Sequence, residues 1–301
     1  MITTNCHTHT CRCKHARGDV REYCVEAVSR GLVTLGFSDH APLPGERWQS
    51  VRMGMEELEG YCRAIDAARL EFPGLSIPKG LECEYVPEWA GLYRDLFLGT
   101  HGMDYLVGGA HWYPHRGAWT ALYGTTMDAA MLRSYVDYLI AGMQSGLFAF
   151  IAHPDLFGVC YTAWDAEAGA CSRALLTAAA ELGIPLEING YGLRKPMVEG
   201  PAGPRHKYPW LPFWELAAEC GVRAVLSSDA HEPEDVATGL AETAEIAKRF
   251  GLAVVANPAA GPTPSSLGTS ALGPTSVGTG CGDVPIGVGT HSAGPLAVKA
   301  Q

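Results

Sequence analysis

The 301-residue chain is 47% apolar and 18% charged, with 22 basic against 32 acidic residues and a formal net charge of −10. This composition fits a globular protein of one large α/β domain or two small ones, and the absence of any basic block argues against a nucleic-acid partner. No apolar run approaches the roughly 18 residues of a membrane span, and "MITTNCHTHT" opens without the basic and apolar regions of a secretory leader. The ten cysteines are scattered with no C-x-x-C pair, which excludes a zinc knuckle or thioredoxin motif and favours free thiols in a reducing cytoplasm.

Strand-like and helix-like segments then alternate along the chain. "MITTNCH" reads as the first strand. "DVREYCVEAVSRG" reads as a helix: Asp19 can cap it, Glu22 follows three later, Val20, Tyr23, Cys24, Ala27 and Val28 form one apolar stripe, and Gly31 can end it. "LVTLGFS" is a buried strand, followed by a helix over about 54–71 and the strand "LSIPKGLECEY". A short helix near 88–98 leads to "DYLVGGAH", and a helix over about 126–145 leads to "LFAFIAH". The helix "DAEAGACSRALLTAAAELG" precedes the strand "IPLEIN", "WLPFWELAAECG" precedes "RAVLSSDAH", and "EPEDVATGLAETAEIAKRFG" is the last helix. Seven strands with helical crossovers call for parallel pairing, most often closed as a TIM-type barrel rather than left as an open doubly wound sheet. No nucleotide-binding glycine loop follows any strand.

Composition shifts near residue 257. Residues 257–301 contain no aromatic side chain and only Asp283 and Lys299 as charges, so the expected organisation is a catalytic body over 1–256 and a disordered tail.

Nearly every strand ends in a metal-ligand type: His7 and His9; Asp39 and His40; Glu82 and Glu84; His111; His153 and Asp155; Glu187 and Asn189; Asp229 and His231. In a parallel barrel all these ends converge on one face. Residues two apart on a strand share a side, so His7 and His9 aim at one place. A single such histidine is usually structural; so many together are not. Imidazole and carboxylate without an obligatory thiolate suit Zn²⁺, Fe²⁺ or Mn²⁺, and the surplus of ligands implies two or three ions. Cys6 reads as a core thiol, and Cys11 and Cys13 lie in the loop leading to His15.

The ordered set "HTHTCRCKHA", "GFSDHAP", "GLECEY", "GGAHW", "IAHPDL", "EINGYGLRKP" and "SSDAH" resembles the PHP (polymerase and histidinol phosphatase) superfamily over about residues 2–250. "CRCKHA", "RWQSVRM", "GLECEY" and "GYGLRKP" resemble, more narrowly, its monofunctional histidinol-phosphate phosphatases. The resemblance implies a distorted (β/α)7 barrel with metals at the C-terminal ends of the strands. It implies that His7, His9 and Asp229 form one metal site, that Glu82 bridges to a second with His111 and His153, and that His15, His40 and His231 form a third. It also implies a final strand after "RFGLAVV", where the low-complexity segment begins instead.

The expected activity is metal-dependent hydrolysis of a small phosphomonoester, L-histidinol phosphate above others, by a metal-activated water. Asp39 or His40 could protonate the leaving alkoxide. Arg194 is the first candidate for a phosphate clamp and Arg52 a weaker one. Trp48, Trp112, Tyr113 and Tyr191 could wall the substrate. The rivals are a PHP phosphoesterase for another small ester or a nucleic-acid end, an amidohydrolase-like enzyme, and a non-catalytic metal-binding regulatory domain. The amidohydrolase would want a strand-end lysine, which the chain lacks, and a regulatory relic would be expected to lose ligands. The sequence leaves the oligomeric state open.

Overall fold

Glu82 and Glu84 sit on a strand with no exposed residue, which sets the terms of this fold: polar groups enter a dry interior and must be answered there. A computed structural model describes residues 2–201 and 203–260; the rest of the expected tail, residues 261–301, lies outside the described residues. The strands and helices in chain order are β1 (Thr4–Asn5), α1 (Val20–Ser29), β2 (Thr34–Leu35), α2 (Leu58–Glu71), β3 (Gly80–Glu84), β4 (Tyr105–Gly109), β5 (Trp112–His115), β6 (Ala118–Ala121) and α3 (Ala129–Gln144). Then come β7 (Phe150–Ile151), α4 (Ala166–Leu182), β8 (Leu186–Asn189), α5 (Gly190–Arg194), β9 (Val198–Gly200), β10 (Gly203–Arg205), α6 (Leu211–Glu219), β11 (Ala224–Ser227) and α7 (Leu240–Phe250).

Five of these strands form one parallel sheet in the order β3-β4-β7-β8-β11. Strands β1 and β2 pair in parallel separately. Single parallel bridges join the two sheets at both edges: Thr8 to Ala230 beside β11, and Thr34 to Ser76, Phe37 to Lys79 and His40 to Glu82 beside β3. All seven expected strands are therefore present and parallel, in two sheets joined by bridges. β3, β4, β8 and β11 are buried along their whole length, as strands covered on both faces must be. The expected closing strand is reduced to a short pairing: Ala224 N donates to Ala253 O at 2.8 Å and Val255 N to Ala224 O at 2.9 Å. Pro258 and Ala259 are buried, so the packed body runs past the boundary expected at 256.

The helices begin where their caps dictate. Asp19 and Glu22 form the expected capping box at the start of α1, and Gly31 takes a positive φ of 73° after its end. Val20, Tyr23, Cys24 and Ala27 are buried, but Val28 is 54% exposed and leaves the stripe. Asp128 and Asp165 cap α3 and α4. The antiparallel hairpins β5–β6 and β9–β10 were not read from the sequence. The segment expected as a short helix near 88–98 is a short 3₁₀ turn followed by a π-helical segment, Leu92–Thr100.

Candidate metal centre

His7 lies just beyond β1 and the pair His7–His9 is buried, at 0% and 1% exposure. Strand alternation aims both rings inward, and their Nε2 atoms stand 3.1 Å apart. Glu82 on β3 faces them from the sheet. Its Oε2 is 3.0 Å from His40 Nδ1 and 3.5 Å from both His7 Nε2 and His9 Nε2. Its Oε1 is 3.0 Å from His153 Nε2 and 3.7 Å from His111 Nε2. Asp229, beyond β11, places Oδ1 3.2 Å from His9 Nε2 and 3.5 Å from His7 Nε2. His231 Nε2 and His15 Nε2 meet at 3.1 Å. His231 Nδ1 lies 3.6 Å from Asp229 Oδ1, so the nine expected ligand residues lie in one continuous cluster.

The outer nitrogen of several rings is fixed by a partner, which turns the inner one to the cluster. His7 Nδ1 lies 2.6 Å from Glu187 Oε1 and His111 Nδ1 lies 2.9 Å from Glu84 Oε1. His15 Nδ1 lies 2.7 Å from the Cys13 carbonyl and His231 Nδ1 lies 3.1 Å from the Asp229 carbonyl. Each Nε2 then points inward, the arrangement that ligating imidazoles need. Glu82 Oε2, Asp229 Oδ1, His9 Nδ1, His40 Nδ1 and His153 Nδ1 are buried without a hydrogen-bond partner. Glu82 Oε2, Asp229 Oδ1 and His40 Nδ1 face the cluster, and buried polar atoms left unanswered there are costly unless a cation collects them. His7, His9 and Glu82, His40, Glu82 and His111, and His9, His40 and His231 each bring ligand atoms within 4.8 Å of one another. The residues present therefore fit divalent metal ions. His153 and Asp229 also hold left-handed backbone, φ 31° and 49°, a strain of order 1–3 kcal/mol each that functional sites commonly carry.

Electrostatics follow from burial and proximity. Burial alone would raise the Glu82 carboxyl, but His111, His40 and His7 hold it well below its usual range. Burial opposes ionisation of Asp229 too, and His7, His9 and His231 overcome it. Burial lowers His40 to about 3 and His15 to about 4, so both are neutral and able to ligate at pH 7. Against the lowering effect of burial, His7 is raised by Asp229, Glu187 and Glu82. Burial pushes Asp39 up to about 6; its oxygens accept from Thr10 N at 2.8 Å and Thr10 Oγ1 at 2.7 Å and so tie the His9 loop.

The two arginines expected to contact phosphate are placed otherwise. Arg194 Nη1 donates to the Ser228 and Thr238 carbonyls, both at 3.1 Å, Nη2 reaches the Asp229 carbonyl at 3.4 Å, and Nε lies 3.3 Å from Asp235. These contacts engage the fork with the backbone around Asp229 and at Thr238. Arg52 is 1% exposed, with Nη1 on the Ala41 carbonyl and Nη2 on Glu84 Oε2, both at 2.9 Å. Of the expected aromatic wall, Trp48 and Trp112 stack at 4.5 Å, Tyr191 stacks on His231 at 4.7 Å, and Tyr113 is core. Glu187 and Asn189 were expected as ligand types. Glu187 instead supports His7 and the His153 backbone from behind, and Asn189 Nδ2 donates to Asp229 Oδ2 at 3.0 Å. His101 lies against Cys62 and His115 against Ser134, and neither joins the cluster.

A parallel α/β fold whose strand ends pool imidazole and carboxylate is that of a metal-dependent hydrolase. The PHP domain signature matches residues 5–190, and the chain belongs to the PHP domain family. A Deinococcus radiodurans protein named "Probable histidinol-phosphatase" is 35% identical over 243 residues, 76% of this chain and 86% of its own length. The histidinol-phosphatase of Bacillus subtilis is 26% identical over 260 residues, 76% of this chain and 94% of its own. Among solved structures, HisK of Listeria monocytogenes has a TM-score of 0.67 at 20% identity, covering 79% of this chain and 99% of that one. Histidinol phosphate phosphatase of Lactococcus lactis, complexed with zinc, L-histidinol and phosphate, has a TM-score of 0.65 at 17% identity, covering 84% and 95%. At these identities the two structures establish the fold. Among the described residues no helix is long and apolar enough to cross a membrane.

Proposed function

We propose that this protein hydrolyses L-histidinol phosphate to L-histidinol and phosphate with two or three divalent ions, Zn²⁺, Mn²⁺ or Fe²⁺. The observation that carries the proposal is Glu82, a buried carboxylate faced by His7, His9, His40, His111 and His153 at 3.0–3.7 Å. The curated relatives, both histidinol-phosphatases by name, support the substrate. We read the edge bridges as closing the seven parallel strands into a distorted barrel.

His7, His9 and Asp229 would hold one ion, Glu82, His111 and His153 a second, and His15, His40 and His231 a third. When bound, such ions neutralise phosphoryl oxygens and supply a hydroxide nucleophile at neutral pH. The chain's own part is preorganisation. Glu187 and Glu84 hold His7 and His111 with Nε2 inward, so no ring must turn when a dianion arrives. Asp39 accepts from Thr10 N and Thr10 Oγ1 and so holds the loop that carries His9, and His40 is held neutral and able to ligate. Tyr191, stacked on His231, and Trp112, next to His111, border the cluster and are the rings placed to meet an ammonium or imidazolium.

The test pairs chelation with His153→Ala. Both are expected to remove bound metal and phosphate release together, with activity restored by metal only in the wild type. An alanine variant keeping full metal content and full activity would refute the ligand assignment.

A further inference from the structure

Arg52 was expected at the phosphate, yet it is buried at the end of a three-member chain. His111 Nδ1 meets Glu84 Oε1 at 2.9 Å, and Glu84 Oε2 meets Arg52 Nη2 at 2.9 Å. Arg52 Nη1 donates to the Ala41 carbonyl, directly after His40. The guanidinium carbon also lies 5.3 Å from the Trp48 ring centre and 5.7 Å from that of Trp112. These two rings stack 12° from parallel, and Trp112 follows His111 in the chain. One cation thus bonds the support of His111 and the residue after His40 and lies beside both rings of the aromatic stack.

We infer that Glu84 and Arg52 are positioning residues that act as one unit: Glu84 sets His111 with Nε2 toward Glu82, and Arg52 locks Glu84 to the Trp48–Trp112 wall. The inference rests on the proposed metal centre but not on the identity of the substrate. A carboxylate behind a ligating imidazole fixes its tautomer and raises its basicity, and losing it typically costs about 10- to 100-fold in metal affinity. An arginine fork with two anchored nitrogens holds that carboxylate in one orientation, which lysine, a single point of charge, cannot. Glu84 and Arg52 are each only 1% exposed, so each is needed to neutralise the other.

The test is zinc titration of the full-length chain against a competing chelator dye, with near-ultraviolet circular dichroism as the readout of the tryptophan stack. Glu84→Gln is expected to weaken one zinc equivalent about 10- to 100-fold and leave the others unchanged. Arg52→Lys is expected to weaken the same equivalent and to diminish the tryptophan signal. If Arg52→Met fails to fold because it strands the Glu84 charge, Arg52→Met combined with Glu84→Gln removes both charges and is read instead. Full zinc affinity in that folded double variant would overturn the inference. So would an Arg52→Lys variant with unchanged zinc binding and a raised KM, the signature of a phosphate contact. Absence of histidinol phosphate turnover in a wild type that binds zinc normally would count against the substrate and leave this inference standing.

Discussion

Removing Glu187 tests whether the centre is held from behind. Its carboxylate takes His7 Nδ1 at 2.6 Å, His153 N at 2.9 Å, Asn189 Nδ2 at 2.9 Å and the Ser227 hydroxyl, all in full burial. Glu187→Ala leaves His153 N–H and the His7 ring without their acceptor. Breaking a buried charged pair costs about 3–5 kcal/mol, and the orphaned donors share in that figure rather than add to it. At about 2–4 °C per kcal/mol for a body of this size, Tm should fall by about 6–20 °C. Glu187→Gln keeps one acceptor oxygen and should cost about 1–2 kcal/mol. Burial raises the Glu187 carboxyl, but His7 and His153 lower it overall. Its contribution is therefore present above the unfolded carboxyl range and lost as pH falls through the lower folded value, so the deficit of Glu187→Ala should shrink in acid. The assay is thermal unfolding by circular dichroism from pH 7 downward, with and without chelator. A Glu187→Ala loss below about 1 kcal/mol at pH 7, no larger than an ordinary surface substitution, would refute the reasoning.

Two further outcomes follow from the same geometry. Arg194→Ala should lower stability by about 1.5–3 kcal/mol, because the Ser228, Asp229 and Thr238 carbonyls and Asp235 lose a charged donor, while metal stays bound; an unchanged Tm with a raised KM would place Arg194 at the phosphate. Glu84 titrates at about 2 in the folded chain against 4.5 in free peptides, so it should supply about 3 kcal/mol above pH 4.5 that vanishes as pH falls toward 2; acid unfolding of metal-free Glu84→Gln should show a correspondingly shallower pH dependence, and an identical one would refute the pairing.

Alternation of strands and helices was legible because each parallel strand is a short apolar run between caps, and Asp19, Glu22 and Gly31 announce α1 plainly. The site was legible because its residues fall at strand ends, where parallel topology must bring them together. Glu82 and Glu84 show where sequence runs out. Both face the interior two residues apart, and only the partners, five histidines around Glu82 but Arg52 and the outer nitrogen of His111 on Glu84, distinguish a metal-type donor from its support. Arg52 and Arg194 looked alike as phosphate contacts because a free fork and a spent one have the same sequence. The hairpins β5–β6 and β9–β10 carry mixed burial and Gly or Pro within short strands, so neither gave a clear period of two. The boundary near 256 was read from composition alone, which cannot register that small residues such as Ala259 pack against the sheet.

The most direct measurement is phosphate release by the metal-loaded full-length protein across a panel of phosphomonoesters. The account predicts that kcat/KM for L-histidinol phosphate exceeds that for other small esters by at least about tenfold, a difference of about 1.4 kcal/mol in transition-state binding, and that chelation abolishes it. Metal-loaded protein that cleaves other esters but leaves L-histidinol phosphate intact would contradict it.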